Sequence, residues 1–319
     1  MVRFATEKDI PFLKHAWKVC FDDPDTFIDW NFTYNFSPSD TLIAEVDGVP
    51  ASNMQLMPHK IQLRGKEYAV NYVSGVATLP EFRHRGLVRE LFAFGFSVMA
   101  QRKHPISLLV PFNYEFYEKF GYRQCYEKVF RYADILPEQE YLTKEDLSDT
   151  LIQSLDGIYR KAMQDHAGYA IRTKADWQKI LEDLLQLSEG RILLRENGYA
   201  LITSLNGGGY EIHEQCGHIS LPCREEKKPF AMARVLDPMR LLSDLAEDFD
   251  GQIRLKITDA QIPKNNICVE VGNRMVIPCQ DYDQELDIRE LATLVMGWTE
   301  DVTQSGLFSK QKPYLNMIF

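Results

Sequence analysis

The segment Val76-Ala77-Thr78-Leu79-Pro80-Glu81-Phe82-Arg83-His84-Arg85-Gly86-Leu87-Val88 limits what this chain can become more than any other stretch. Pro80 cannot donate to a ladder, so the strand that starts near Glu67 has to stop at about Leu79. Gly86 then opens a helix reaching to about Arg102, whose apolar face is written by Val88, Leu91, Phe92, Phe96 and Met99 at helical spacing. Strand, short loop and helix in that order leave unpaired backbone N–H groups and the positive end of a helix dipole beside Arg83, His84 and Arg85. Such a place suits a pyrophosphate, and a glycine at 86 lets backbone approach phosphate closely. An ordinary solvated basic turn would carry the same residues.

The rest of the chain is expected to be α/β. Thr6 and Asp9 read as a capping pair for a helix over 7–20. Strands are expected over 41–46, 51–63 and 67–79, with turns at Asp47-Gly48 and Arg64-Gly65. A buried strand over 106–110 precedes a short helix capped by Asn113 and ended by Gly121. Further on, helices are expected over 149–164, 174–187, 238–247 and 288–296, and strands over 199–204, 210–215, 251–258, 266–271 and 274–278. A length of 319 residues suggests two or three domains. The expected division is 1–135, 136–222 and 223–319.

Lys plus Arg number 36 and Asp plus Glu 46, a net charge of −10, which disfavours nucleic acid and anionic membranes as partners. The N-terminus has no signal-peptide pattern and no segment is apolar for long enough to span a bilayer, so a cytoplasmic protein is expected. The six cysteines show no CxxC pair. His213, Cys216, His218 and Cys223 fit no standard zinc spacing and read as a strand followed by a turn, so no metal is expected.

Arg83-x-x-Gly86-x-Val88 resembles the acyl-CoA loop of the GNAT N-acetyltransferase superfamily, with Val88 in place of its usual small sixth residue. Together with Tyr117-Glu118-Lys119-Phe120-Gly121-Tyr122, Arg234-Val235-Leu236-Asp237 and the terminal Phe319, the chain resembles the enhanced intracellular survival (Eis) family of that superfamily. The resemblance implies an N-terminal GNAT fold with a mixed twisted sheet, a degenerate GNAT-like central unit and a C-terminal sterol-carrier-protein-like α+β domain. It implies acetyl-CoA as cosubstrate and transfer to a primary amine by direct attack in a ternary complex. Val76 and Thr78 would then meet the pantetheine amides through their backbones. Arg83, His84, Arg85, Gly86, Leu87 and Val88 would hold the pyrophosphate, with His84 contributing less above neutral pH. Tyr117 would protonate the departing thiolate, although a core tyrosine would look the same in sequence. The Phe319 carboxylate would serve as base, its apolar tail docked.

For the acceptor, residues 21–40 offer five aspartates and six aromatics without Lys or Arg, of which Asp25, Asp29 and Trp30 are the candidates for a cationic amine such as an aminoglycoside, polyamine or lysine. Two ordinary helices with capping aspartates fit the same residues. The competing functional class is a non-catalytic CoA-sensing or lipid-binding module. Homo-oligomerisation is left open.

Overall fold

The computed structural model describes residues 1–205, 207–299 and 306–316. They pack as two units, one made of Met1–Tyr126 with Phe230–Gln311, the other of Glu127–Pro229 with the C-terminal segment from Lys312.

In the first unit the strands β1 (Val2–Phe4), β2 (Thr41–Val46), β3 (Val49–Leu63), β4 (Lys66–Thr78), β5 (Ile106–Leu109) and β6 (Arg123–Gln124) join the strand Met232–Val235 in one mixed sheet. Their order runs β1-β2-β3-β4-β5, then Met232–Val235, then β6. All of these pairs are antiparallel except β4 with β5. A parallel neighbour needs a crossover, and the chain between β4 and β5 supplies it as helix α3, Leu87–Gln101. Alternation along the strands divides the two faces. Leu42, Ala44, Met54 and Leu56 pack with Leu91, Phe92 and Phe96 of α3. Ile43 faces the other way, into a cluster with Leu13 and Trp17 of the helix over Ile10–Phe21 (α1) and Ile28 and Phe32 of the helix over Asp25–Tyr34 (α2). The entry to α1 is the expected capping pair, with Asp9 accepting from both the Thr6 amide and hydroxyl and clamped by Arg3.

The later part of this unit is a smaller sheet of Gln252–Thr258, Ile267–Gly272, Met275–Pro278 and Gln284–Asp287 with helices Pro238–Ala246 and Ile288–Val295. A fully buried ion pair ties it to the main sheet. Arg234 on the strand Met232–Val235 donates through Nη2 to both oxygens of Asp259, at 3.0 and 2.8 Å, and its guanidinium lies 4.5 Å from the Phe96 ring centroid. Gly121 is glycine for two reasons: its φ is +80°, and a Cβ there would stand 1.5 Å from Arg234 Nη1.

The second unit carries its own antiparallel sheet, in the order Arg224–Pro229, Glu127–Ala133, Tyr210–Gly217, Gly198–Ser204, Arg191–Arg195, with helices Asp149–Ala162 and Lys174–Glu182. The chain therefore changes unit after Tyr126 and Pro229, because Glu127–Ala133 bonds into this sheet while Met232–Val235 bonds to β5. At its centre Arg172 makes a bidentate pair with Glu214, both bonds 2.7 Å, with Arg172 also stacked on Tyr159 and Trp177. The described part of the C-terminal segment docks on this network. Tyr314 N donates to Ala167 O, Arg172 donates to Asn316 O, and Asn316 Nδ2 donates to Glu214.

Removing one partner of a buried ion pair leaves the other charge uncompensated. Arg234→Ala should therefore destabilise the protein by about 3–5 kcal/mol, read as a lowered denaturant midpoint. A shift within experimental error would mean that Asp259 is held by its other donors alone.

Candidate active site

β4 and β5 are bonded only over Val70↔Ile106, Asn71↔Ser107 and Tyr72↔Leu108. Past Tyr72 the strands part: β4 continues to Thr78 paired with β3 alone, and β5 ends at Leu109. The open stretch of β4 contains a bulge, since Gln55 faces Ser74 while Asn53 faces Ala77, three steps of β4 against two of β3. Gly75, with φ +58°, sits in it. Leu79 N bonds back to Ala51 O of β3, so by alternation the backbone groups of Thr78 and Val76 face the unpaired side. The Thr78 carbonyl is already used there, accepting from Arg83 Nε at 3.2 Å and from Cys20 Sγ at 3.5 Å. Its amide and the Val76 groups are the ones left for a ligand.

The loop that follows is a tight turn over Pro80–Phe82, closed by Arg83 N donating to Pro80 O. His84 and Gly86 then both take positive φ, +63° and +80°, between residues of ordinary conformation. Alternating signs of this kind curl successive N–H groups inward into an anion-binding concavity. Among the described residues the amides of His84, Arg85, Gly86, Leu87 and Val88 make no backbone hydrogen bond, whereas those of Arg89 and Glu90 donate to Gly86 O. Leu87 is buried in the core and anchors the start of α3, while Arg83, His84, Arg85 and Gly86 are exposed. The sequence-predicted loop residues thus come together as one nest at a helix N-terminus.

Tyr117 lies on the other arm of the fork. Helix α4, Tyr114–Glu118, follows β5 and is capped by Asn113, whose Oδ1 accepts from Phe116 N at 2.9 Å. Tyr117 is only 4% exposed and meets the rings of Phe92, Phe112 and Phe116 edge-on. Burial raises its phenol well above the ordinary value, so it is protonated at neutral pH. Its hydroxyl has no hydrogen-bond partner among the described residues. The neighbouring tyrosines are engaged: Tyr122 with Ser107 Oγ at 2.7 Å, and Tyr72, pushed up to about 12 by burial, with the Val110 amide.

The acceptor-side candidates are on α2. Asp29 pairs with Lys14 at 2.7 Å and Asp25 with Lys18 at 3.3 Å, both lysines belonging to α1. Trp30 is buried, and its indole Nε1 has no partner. Phe319 lies outside the described residues. Among the described residues no group of three or more His, Cys, Asp or Glu side chains is placed to hold a metal ion.

Two polar residues not singled out in the sequence stand beside the bulge. Asn53 and Gln55, both 2% exposed, share the sheet face covered by α1 and α2. Asn53 Nδ2 donates to Gly75 O at 2.6 Å and fixes the bulge. Gln55 has neither end of its carboxamide bonded, and its Oε1 would be 3.1 Å from a Cβ on Gly75. The signal was present as alternation: Asn53 and Gln55 interleave with Met54 and Leu56 on a strand covered on both faces.

A mixed sheet whose two parallel central strands fork beside an anion nest defines the GNAT acyltransferase class. Residues 1–125 match the family model described as "Acetyltransferase (GNAT) domain". Residues 1–125 thus carry an acetyltransferase domain of the GNAT type. Among solved structures it is similar in fold to the "Probable N-Acyltransferase" of Enterococcus faecalis V583 (TM-score 0.81, 16% identity, covering 100% of this chain and 99% of that one). It is likewise similar to a GCN5-related N-acetyltransferase of Anabaena variabilis (0.78, 16% identity, 100% of each chain) and to Eis1 of Mycobacterium abscessus (0.77, 13% identity, 100% of each). No curated protein matches the chain.

A buried amide with both ends unbonded costs about 1–3 kcal/mol relative to an apolar group of its shape. Gln55→Met should accordingly raise the thermal midpoint of the ligand-free protein. A lowered midpoint would show that the carboxamide is satisfied by internal water.

Proposed function

We propose that the protein transfers an acetyl group from acetyl-CoA to a primary amine by direct attack within a ternary complex. The observation that carries this reading is the run of unbonded amides from His84 to Val88 at the start of α3, next to the open edge of β4. Those amides, with Arg83, His84 and Arg85, would hold the pyrophosphate. The free edge of β4 at Val76 and Thr78 would take the pantetheine amides as an added strand would. Traced back along β4 from the loop, the thioester then falls near Gly75, where Asn53 holds the bulge. Tyr117, neutral and without a hydrogen-bond partner among the described residues, would donate its proton to the departing thiolate. The base is the Phe319 carboxylate in the terms of the Eis resemblance, and that part rests on the resemblance alone.

Asp25, Asp29 and Trp30 remain the proposed acceptor side. Their support is position: α1 packs on the bulged end of β4, with Trp17 against Gly75, and α2 packs on α1. The Lys14 and Lys18 pairs mean that a cationic acceptor would have to displace an ammonium to reach either acid.

The likeness in fold to a protein named Eis1 supports an Eis-like organisation, with residues 136–222 as a degenerate GNAT-like unit and 223–319 as a sterol-carrier-like domain. The small four-stranded sheet with its two helices is the structural support for the latter. A non-catalytic CoA-sensing or lipid-binding module is disfavoured because it has no use for an unbonded, neutral phenol beside the fork.

The decisive experiment is thiol release from acetyl-CoA across a panel of primary amines. Arg83→Ala should weaken acetyl-CoA binding by about 1.5–3 kcal/mol, the worth of a hydrogen bond to a charged group, and Gly86→Glu should weaken it further by adding like charge in a conformation that strains any side chain. Calorimetric affinities equal to wild type for both variants would remove the loop from the site.

Tyr117→Phe should leave acetyl-CoA affinity intact and lower turnover ~10²–10⁴-fold, the range for a lost general acid. Wild-type turnover in a folded Tyr117→Phe protein would make the residue structural.

A further inference from the structure

Cys268 and Cys279 stand apart from the other cysteines. Cys125 and Cys216 are buried, with thiols pushed up to about 12 by desolvation, and neither has use as a nucleophile. Cys268 and Cys279 are both partly exposed, and their sulfurs lie 3.4 Å apart. They continue the antiparallel register of Ile267–Gly272 with Met275–Pro278, one step beyond Val269↔Pro278, and Cys279 N donates to Cys268 O at 3.0 Å. Cross-strand neighbours hold their Cα atoms about 4.5–5.5 Å apart, inside the range a disulfide spans. Both thiols also point at one carbonyl, Asp281 O, at 3.1 Å from Cys279 and 3.6 Å from Cys268.

We propose that Cys268 and Cys279 form a dithiol modification site that hydroperoxides convert to an intramolecular disulfide. The pair is preorganised: closing 3.4 Å to a bond of about 2.05 Å needs side-chain rotation and no strand movement. The Cys268 thiol gives up its proton and the thiolate attacks the peroxide, forming an S–O bond as the O–O bond breaks; the departing hydroxide or alkoxide takes up that proton and leaves as water or an alcohol. The Cys268 sulfur is oxidised to a sulfenic acid while the peroxide is reduced. The Cys279 sulfur then attacks that sulfenic sulfur; the S–S bond forms, the S–O bond breaks, and the released hydroxide takes the Cys279 proton as water. For hydrogen peroxide, two thiols and one peroxide give one disulfide and two waters. The order of attack follows from Cys279 donating the shorter of the two contacts to Asp281 O, 3.1 Å against 3.6 Å, so that it is the thiol that keeps its proton; desolvation and Cys268 beside it push its thiol up as well.

The consequence falls on an edge. Met275–Pro278 is the outer strand of the small sheet, its Met275 and Ile277 are 55% and 45% exposed, and Pro278 stands opposite Val269 in a non-hydrogen-bonded pair, its ring nitrogen toward the open edge. A disulfide between Cys268 and Cys279 adds a covalent tie at the end of this ladder and fastens the edge strand to its neighbour.

The test treats the full chain with a small excess of hydrogen peroxide, followed by thiol counting in denaturant, intact mass and peptide mapping. Two of the six thiols should be lost with a mass change of two hydrogens, the mapped bridge should join Cys268 to Cys279, and dithiothreitol should restore both. In Cys279→Ser the sulfenic acid at Cys268 should persist and be trapped by dimedone. Oxidised wild type should also melt higher than reduced, with no such difference in Cys268→Ser. A wild type that bridges any other pair first, or that passes to sulfinic acid at Cys268 without bridging, would overturn the proposal.

Discussion

The site depends on where one ladder stops. β4 and β5 are bonded for three residue pairs and then part at Tyr72 and Leu108, and the proposed acetyl-CoA loop and Tyr117 lie on the two arms of that fork. A continuous ladder would pair Val76 and Thr78 internally, leaving no backbone to bind a linear ligand. Three features keep the fork open. The bulge at Gly75 bends β4 toward α1, where Trp17 and Gln55 leave no room for a side chain. Pro80 stops the strand, and the chain turns directly into α3. On the other arm β5 yields to Asn113 and α4, which carry Tyr117 to the same end of the sheet.

Holding the far arm falls to buried charge. Gly121 ends α4 against the Arg234 guanidinium, and Arg234 is on the strand that pairs with β5 and β6. The Arg234–Asp259 pair therefore fixes the chain just beyond Tyr117 to the small sheet. Buried ion pairs add little net stability over well-packed apolar residues, yet breaking one is costly. The second unit repeats the device with Arg172 and Glu214, around which Tyr199, Tyr314 and Asn316 gather.

Local features were the legible ones. Pro80, Gly86, Asn113 and Gly121 act within a few residues of themselves, so strand ends, helix starts and the anion nest could be read from sequence. What depends on distant pairing could not. Arg224–Pro229 has no hydrophobic alternation because it is a solvated edge, held partly by the Arg131–Glu225 and Lys227–Glu127 ion pairs. Met232–Val235 crosses into the first sheet, which no local pattern announces. Asp25 and Asp29 looked unpaired because their partners, Lys18 and Lys14, sit on the preceding helix. Asn53 and Gln55 were hidden in the alternation of a long strand, where polar residues on a face covered by α1 and α2 mark a site only once that cover is known.

A buried phenol seems at first a poor acid, since burial makes it hold its proton more tightly. The comparison that matters is with the group it must protonate. A thiol in this protein responds to burial as a phenol does: Cys125, fully enclosed in the same unit, is raised to about 12 from an ordinary value near 9. A thiolate expelled into the enclosed end of the fork would be strengthened as a base by the same desolvation that weakens Tyr117 as an acid. The two shifts offset, leaving the transfer near balance. What burial would add to the proposed role is selectivity of state: Tyr117 is neutral across the physiological range and would give up its proton only when a charge develops beside it. The hydroxyls of Tyr72, Tyr114 and Tyr122 at this end of the sheet are committed, whereas that of Tyr117 has no hydrogen-bond partner among the described residues.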